Sequence, residues 1–267
     1  MDERRDAHGQ GSDRAGLELV FADEFGGSAL DGDRWLDHYL PHWTTPERSA
    51  ARYVVHDGLH LLIEADQPAW RAEDGPMRVS NVQTGSFSGP LGSPLGQHRH
   101  RLDLTVQTPQ PTRRLWTPTS GMVEATVRAS ADPTCMTAIW LVGLEESSPQ
   151  ESGEICVAEL FGNAIGRTRS QVRLGVKAHH DPRLRTEMVD LLLELDAAEP
   201  HVYAAAWDAE QVRFSVDGRL VHTVNQGTAY PLQLMVDLFE FPEREERDPA
   251  DYPKEAHVVA VRGYQRR

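Results

Sequence analysis

Ser152-Gly153-Glu154-Ile155-Cys156-Val157-Ala158-Glu159-Leu160-Phe161-Gly162 is a short apolar run between two glycines, interrupted by two glutamates five positions apart. Strand residues alternate faces, so Glu154 and Cys156 point the same way and a regular strand would aim Glu159 at the other face. A one-residue bulge between Cys156 and Glu159 restores the count, because two residues then oppose one and the next side chain is re-aimed. With that bulge, Glu154, Cys156 and Glu159 form one row on one face of a sheet. Without it, the glutamates are wet-side residues of an ordinary half-buried strand. Two carboxylates leaning across a sugar are what a retaining glycosidase needs, so the bulged reading makes this stretch a candidate active site.

Outward from this stretch the pattern stays short and alternating from Leu17 onward, with turn residues every ten or so positions, which favours a sandwich over helices. Val54 to Ile63 and Phe214 to Val221 each read as two strands around an Asp-Gly pair, since tight hairpin turns need positive φ. Gly121–Ala129, Met136–Gly143, Tyr230–Phe241 and Val258–Tyr264 have strand composition, and the polar Leu144–Ser152 is an excursion between antiparallel neighbours. Gly85–Gln97, Gln107–Pro118 and Pro242–Pro253 are loops rich in glycine or proline. Arg185–Ala198 fits a helix through Met188, Leu191, Leu192 and Leu195, or a strand with a loop. No repeat or long linker divides the chain, so residues 1–16 are expected to be a disordered tail and 17–267 a single domain.

Lys plus Arg number 27 against 41 Asp plus Glu, a net charge of −14. Nucleic acid needs a basic footprint and is not an expected partner, and strongly anionic polysaccharides are disfavoured. Cys135 and Cys156 are too few for a disulfide scaffold, and no stretch has the apolar length of a membrane span. The polar start has no apolar signal core, which reads as cytoplasmic, or as exported if the start is trimmed or misassigned. A monomer is expected.

The run at 154–159 resembles the bulged active-site signature of glycoside hydrolase family 16, Glu-aliphatic-Asp-aliphatic-x-Glu, with Cys156 in place of the aspartate. Further segments recur in the family's order: Leu19–Phe25, Leu30-Asp31 with Arg34-Trp35, Val55–Leu61, Ser120–Ala125, Ala138–Gly143, Val202–Trp207 and Val216–Gly218. The resemblance spans about residues 17 to 245. It implies an all-β jelly-roll sandwich of two antiparallel sheets with a concave carbohydrate cleft. It also implies retaining endo-hydrolysis of a β-linked polysaccharide, with β-1,3- or mixed-linkage glucan as the default substrate.

By motif position the resemblance makes Glu154 the nucleophile and Glu159 the acid/base. Carboxyl groups about 5–5.5 Å apart would give retention, and an acid that keeps its proton needs apolar or anionic surroundings. A neutral thiol at 156, with an ordinary pKa of about 8.5, is a weak donor and brings no charge, so Glu154 is expected to lose a good hydrogen-bond partner. The chain is then slower or shifted in pH, is served by another nearby group, or has become a lectin-like glycan binder; transglycosylation on the same fold is a further alternative.

Trp140 matches the tryptophan that stacks a sugar ring in the family. Trp116 and Trp43 are candidates for the cleft rim, while Trp207 is assigned to packing. Of His179 and His180, one is expected to face the cleft. Adjacent strand residues point to opposite sides and chelate one ion poorly, so zinc is not expected. Glu240 is a candidate for lining the sugar-facing sheet or for an exposed edge. No cofactor is expected; some family members hold calcium on the convex side, near where Asp23 and Glu24 fall.

Overall fold

The computed structural model describes residues 16–242 and 248–266. The expected tail therefore lies almost wholly outside the described residues, as does the middle of the expected 242–253 loop. Two antiparallel sheets stack face to face, the jelly-roll sandwich expected from the sequence. One consists of β1 (Leu17–Asp23), β2 (Arg52–Val55), β3 (Leu59–Ile63), β7 (Gly121–Arg128), β12 (His201–Trp207), β13 (Val212–Val216), β14 (Arg219–Val224) and β16 (Lys254–Arg266). The other has six strands in the order β11 (Glu187–Leu193), β10 (Ser170–Lys177), β9 (Glu154–Phe161), β8 (Cys135–Gly143), β15 (Leu232–Glu240) and β4 (Arg78–Gln83). A two-residue pair, β5 (Gly85–Ser86) with β6 (Arg113–Arg114), lies apart.

Both Asp-Gly pairs sit at hairpin turns with left-handed backbone, Asp57 and Gly58 at φ 51° and 124°, Asp217 and Gly218 at 49° and 75°. Asparagine, aspartate and glycine are the residues that adopt this region most readily, so the sequence specifies these turns locally. The 185–198 segment is an edge strand, β11, and the helical alternative fails. Val189, Leu191 and Leu193 alternate toward the core, β11 pairs with β10 from Glu187 to Leu193, and Leu192 is left outward and exposed. The leucine spacing fits both periods, and pairing with a neighbouring strand decides between them.

The inter-sheet core takes alternate residues from both sheets: Leu59, Leu61, Val123, Ala125, Tyr203 and Phe214 from one, Ile139, Leu141, Ile155, Leu160, Val172 and Leu234 from the other. A second apolar cluster lies on the outer face of the six-stranded sheet. There Met136, Trp140, Cys156, Met235 and Phe239 are covered by Tyr39, Leu40, Trp43, Trp70, Leu104 and Val106 from the long excursions before and after β4. Both faces of this sheet are thus buried, and the candidate site lies on the outer one.

Candidate active site

The bulge is present. In β9, Ile139 of β8 stands opposite Ala158 and Trp140 opposite Cys156, so Val157 is the extra residue. Val157 and Ala158 both join the inter-sheet core. Glu159 is thereby returned to the face of Glu154 and Cys156. All three are nearly inaccessible, at 1%, 0% and 4% exposure for Glu154, Cys156 and Glu159. Oxygen atoms of the two glutamates and the Cys156 sulfur lie within 4.8 Å of one another.

Glu154 is the most heavily partnered group in the row. The Cys156 thiol donates to its Oε1 at 2.8 Å, Lys177 Nζ donates to the same oxygen at 3.0 Å, and His179 Nε2 donates to Oε2 at 2.7 Å. The expected loss of a hydrogen-bond partner at Glu154 is therefore corrected: the thiol itself donates, and two groups from β10 and its end join it. Burial alone would raise this carboxyl; the His179 hydrogen bond and the Lys177 charge outweigh it and hold Glu154 well below the usual carboxylate range. Burial pushes the Cys156 thiol well up, with the Glu154 charge adding to it, so the sulfur stays protonated and is no nucleophile.

Lys177 also reaches Glu159 Oε1 at 2.7 Å, so one ammonium bridges both carboxylates. The Cys156 sulfur lies 3.7 Å from the same Glu159 oxygen. The surroundings expected for Glu159, apolar or anionic, are thus modified by a cation in direct contact. Lys177 was missed in the sequence, although the alternation Val172, Leu174, Val176 toward the core places it on the outer face. Its register opposite Glu154 is a tertiary fact.

Trp140 faces the row. Lys177 Nζ lies 5.4 Å from its ring centre, Phe239 packs against it, and its Nε1 is buried without a hydrogen-bond partner. His179, held at φ 46°, and His180 both border a pocket of about 160 Å³ beside Glu154, with His98, Arg99, His100, Glu145 and Ser152. His180 Nε2 contacts the Arg99 carbonyl at 3.0 Å, which fastens the 98–101 segment to the end of β10. His100 and Arg101 bind Asp74 on the other side, at 3.1 and 2.7 Å. His98 stands edge-on to His179, 4.8 Å between ring centres, with Nδ1 3.9 Å from Glu154 Oε2. Burial pushes His98 down to about 3, so its ring is neutral. Glu145, also left-handed at φ 55°, accepts the His98 backbone N–H at 2.5 Å and is pushed up to about 8 by burial. His98 and Glu145 lie in irregular segments where no periodicity marks them.

Three expected site residues are placed elsewhere. Trp116 packs in the inter-sheet core, stacked on Phe21 at 5.0 Å. Trp43 is fully buried beneath the covering loops and donates through Nε1 to the Gln97 carbonyl at 2.8 Å; a side chain on Gly96 would collide with its ring. Neither forms a rim, because in both cases a loop segment folds inward to bury a large ring. Glu240 is neither cleft-lining nor exposed. It pairs with Arg78 at 2.7 Å and accepts from Tyr252 at 2.6 Å, at the edge of the sandwich interior.

Among the described residues, donor groups close enough for a metal form two triplets, His98–Glu154–His179 and Glu154–Cys156–Glu159, and both depend on a Glu154 whose oxygens already accept three hydrogens. Asp23 is occupied by the Phe25 N–H and Trp35 Nε1, and Glu24 by Arg262. Among the described residues no helix is long and apolar enough to cross a membrane.

The profile described as "Glycosyl hydrolases family 16" matches residues 110–242, which include β8, β9, β10 and β15. Among solved structures, the GlcNAcα1-4Gal-releasing endo-β-galactosidase from Clostridium perfringens is 24% identical, covers 94% of this chain and has a TM-score of 0.80; the chain spans 64% of that protein's length. A non-specific endo-β-1,3(4)-glucanase of family 16 is 18% identical over 95% of this chain and 92% of its own, TM-score 0.65. The laminarinase from Rhodothermus marinus is 20% identical over 93% and 97%, TM-score 0.64. No curated protein sequence matches. At these identities the structures carry the fold, and the profile match carries the family. With the bulged strand and its paired glutamates inside the matched region, the chain belongs to glycoside hydrolase family 16.

Proposed function

We propose that this chain hydrolyses a β-linked polysaccharide internally, with retention of anomeric configuration. The observation that supports this reading is the bulge at Val157, which sets Glu154 and Glu159 on one face with carboxylate oxygens within 4.8 Å. In the first step a Glu154 oxygen bonds to the anomeric carbon, the glycosidic C–O bond breaks, and Glu159 gives its proton to the departing oxygen. In the second, water gives a proton to Glu159 and bonds to the anomeric carbon while the ester to Glu154 breaks. Glu154 suits attack because its neighbours keep it ionised, and Cys156 and His179 orient it. The substrate rings would meet Trp140, whose free N–H is a donor for a hydroxyl.

The substrate class proposed first is β-1,3- or mixed-linkage glucan, in keeping with the names of the glucanase and laminarinase neighbours; β-galactoside glycans come second, after the C. perfringens enzyme. The test is release of reducing ends from a panel of both classes, with the first-formed anomer followed by proton NMR. Glu154→Gln is expected to lower turnover on the order of a thousandfold or more while the fold is kept. Unchanged turnover in this variant ends the proposal. Oligosaccharide binding by calorimetry without any product would replace it with a glycan-binding role.

A further inference from the structure

Cys156 and Lys177 share one acceptor. The thiol and the ammonium both donate to Glu154 Oε1, at 2.8 and 3.0 Å, and both approach Glu159 Oε1, at 3.7 and 2.7 Å. Lys177 is the direct cross-strand partner of Glu154, the last pair of a register that runs through Gly175 opposite Cys156 and Val176 opposite Ile155. Its side chain is 27% exposed, and its ammonium sits over the Trp140 ring. The cation is therefore built into the site and is not a solvent-facing lysine that happens to lean inward.

A buried carboxylate needs hydrogen bonds and opposite charge to stay ionised. A thiol supplies one weak hydrogen bond and no charge. The lysine supplies both missing items, and to both glutamates at once. Burial alone would make it easier to deprotonate; the charges of Glu154 and Glu159 reverse that and raise it above its ordinary value. An ionised acid at 156 would instead compete for the same ammonium and draw it off the Glu154–Glu159 bridge.

Resting on the reading of Glu154 and Glu159 as the catalytic pair, we propose that Lys177 is the positioning residue of this site, and that Cys156 and Lys177 are a compensating pair: the thiol is accommodated at the centre of the row because a cation from the adjacent strand orders both carboxylates. Lys177 acts through the two glutamates and need not touch the sugar. The pairing also says why the single departure from the family's signature does not leave Glu154 without support.

The experiment is a cycle of Lys177→Met, Cys156→Asp and the double variant, read as kcat/KM against pH on the panel substrate with the highest turnover. Removing a cation in contact with a carboxylate raises that group by about 1–3 pH units. Lys177→Met is therefore expected to shift the acid limb of the profile upward by about that amount and to lower kcat with KM little changed. Lys177→Arg is expected to restore most of the loss. Adding Cys156→Asp to Lys177→Met is expected to recover activity, whereas Cys156→Asp alone does not improve it. An unmoved acid limb in Lys177→Met, or effects of the two substitutions that simply multiply, overturns the pairing.

A readout independent of turnover separates this inference from the hydrolase reading. Carbon-13 NMR titration of the glutamate carboxyls, with Glu154 assigned through Glu154→Gln, is expected to show the Glu154 midpoint rising in Lys177→Met. A midpoint that stays put overturns the pairing even in an active enzyme. A midpoint that rises in a chain that cleaves no panel substrate supports the pairing and removes the hydrolase. Should Lys177→Met not fold, Lys177→Gln gives the same titration with a neutral hydrogen-bond donor kept in place.

Discussion

On its inner face β9 presents Ile155, Val157, Ala158 and Leu160 to the other sheet; on its outer face it presents Glu154, Cys156 and Glu159. The two faces are equally hidden: the inner residues are at most 2% exposed and the outer ones at most 4%. What differs is how the buried atoms are satisfied. The inner face of β9 is aliphatic and leaves nothing of its own to satisfy, although the core it meets holds unpartnered polar atoms of Trp116, Tyr203 and Trp207. The outer face of the same sheet carries Asn81, Gln233, Asp237 and Trp140 on β4, β15 and β8, each with a buried polar atom that has no hydrogen-bond partner among the described residues. Asp237 meets Asn81 at 2.6 Å, yet burial still pushes its carboxyl well up, with the Glu154 charge adding to the effect. Buried polar groups without partners each cost about 1–3 kcal/mol, so a face that keeps several is held at the expense of stability. The inner face makes the fold, and the outer face is kept for chemistry that the inner face supports.

The sharpest way to break this division is to carry the acid across it. In the double substitution Ala158→Glu with Glu159→Ala the bulge stays and the carboxyl moves to the inner face, where Ala158 joins the inter-sheet core. The expected outcome is loss of all measurable turnover together with a destabilisation of several kcal/mol, on the order of 3–5 for an uncompensated buried charge. Chemical denaturation and the reducing-end assay read the two losses separately. Retained turnover would mean that the reaction does not need an acid on the outer row at position 159.

An inner-face truncation makes the complementary case. Leu160 is fully buried among core residues of the sandwich. Leu160→Ala is expected to cost about 2–5 kcal/mol in denaturant unfolding, while kcat per folded molecule stays at the wild-type value. A fall in kcat comparable to that of Glu154→Gln would show that the faces are coupled and that the division drawn here is wrong.

How much of this was legible in advance follows the same line. The bulge was readable because Glu154, Cys156 and Glu159 break an otherwise regular period, and a period is a local property of the chain. The Asp-Gly turns were readable because positive φ is demanded at the turn itself. Lys177 was half readable: its face follows from the alternation of Val172, Leu174 and Val176, but its position opposite Glu154 depends on register between strands. His98, Glu145 and the inward turn of Trp43 and Trp116 were not readable. They sit in irregular segments, where side-chain direction is set by what the segment lands on, and a tryptophan in a proline-rich loop looks the same whether it faces a cleft or a core. Residues 185–198 failed for a related reason: leucines spaced for a helix also alternate, and the free edge of β10 settled the matter.

The smallest expected effect concerns the wall of the pocket. Among the described residues Glu145 has no cation partner; it is 4% exposed and accepts the His98 backbone N–H with one oxygen. Its carboxyl, ordinarily at 4.5, is pushed up to about 8. Below 4.5 it is neutral folded or unfolded and contributes nothing to the pH dependence. Between 4.5 and about 8 the unfolded chain ionises it and the folded chain does not, so this group favours unfolding more strongly as pH rises, and above about 8 the difference is constant. Glu145→Gln keeps an oxygen to accept from His98 and removes the titration. Its stability relative to wild type is therefore expected to improve steadily from pH 5 to pH 8 and then level off, read as the difference in denaturation midpoints. A difference that is flat across that range would mean that Glu145 is ionised in the folded protein, and that the outer-face wall is wetter than the burial of its residues implies.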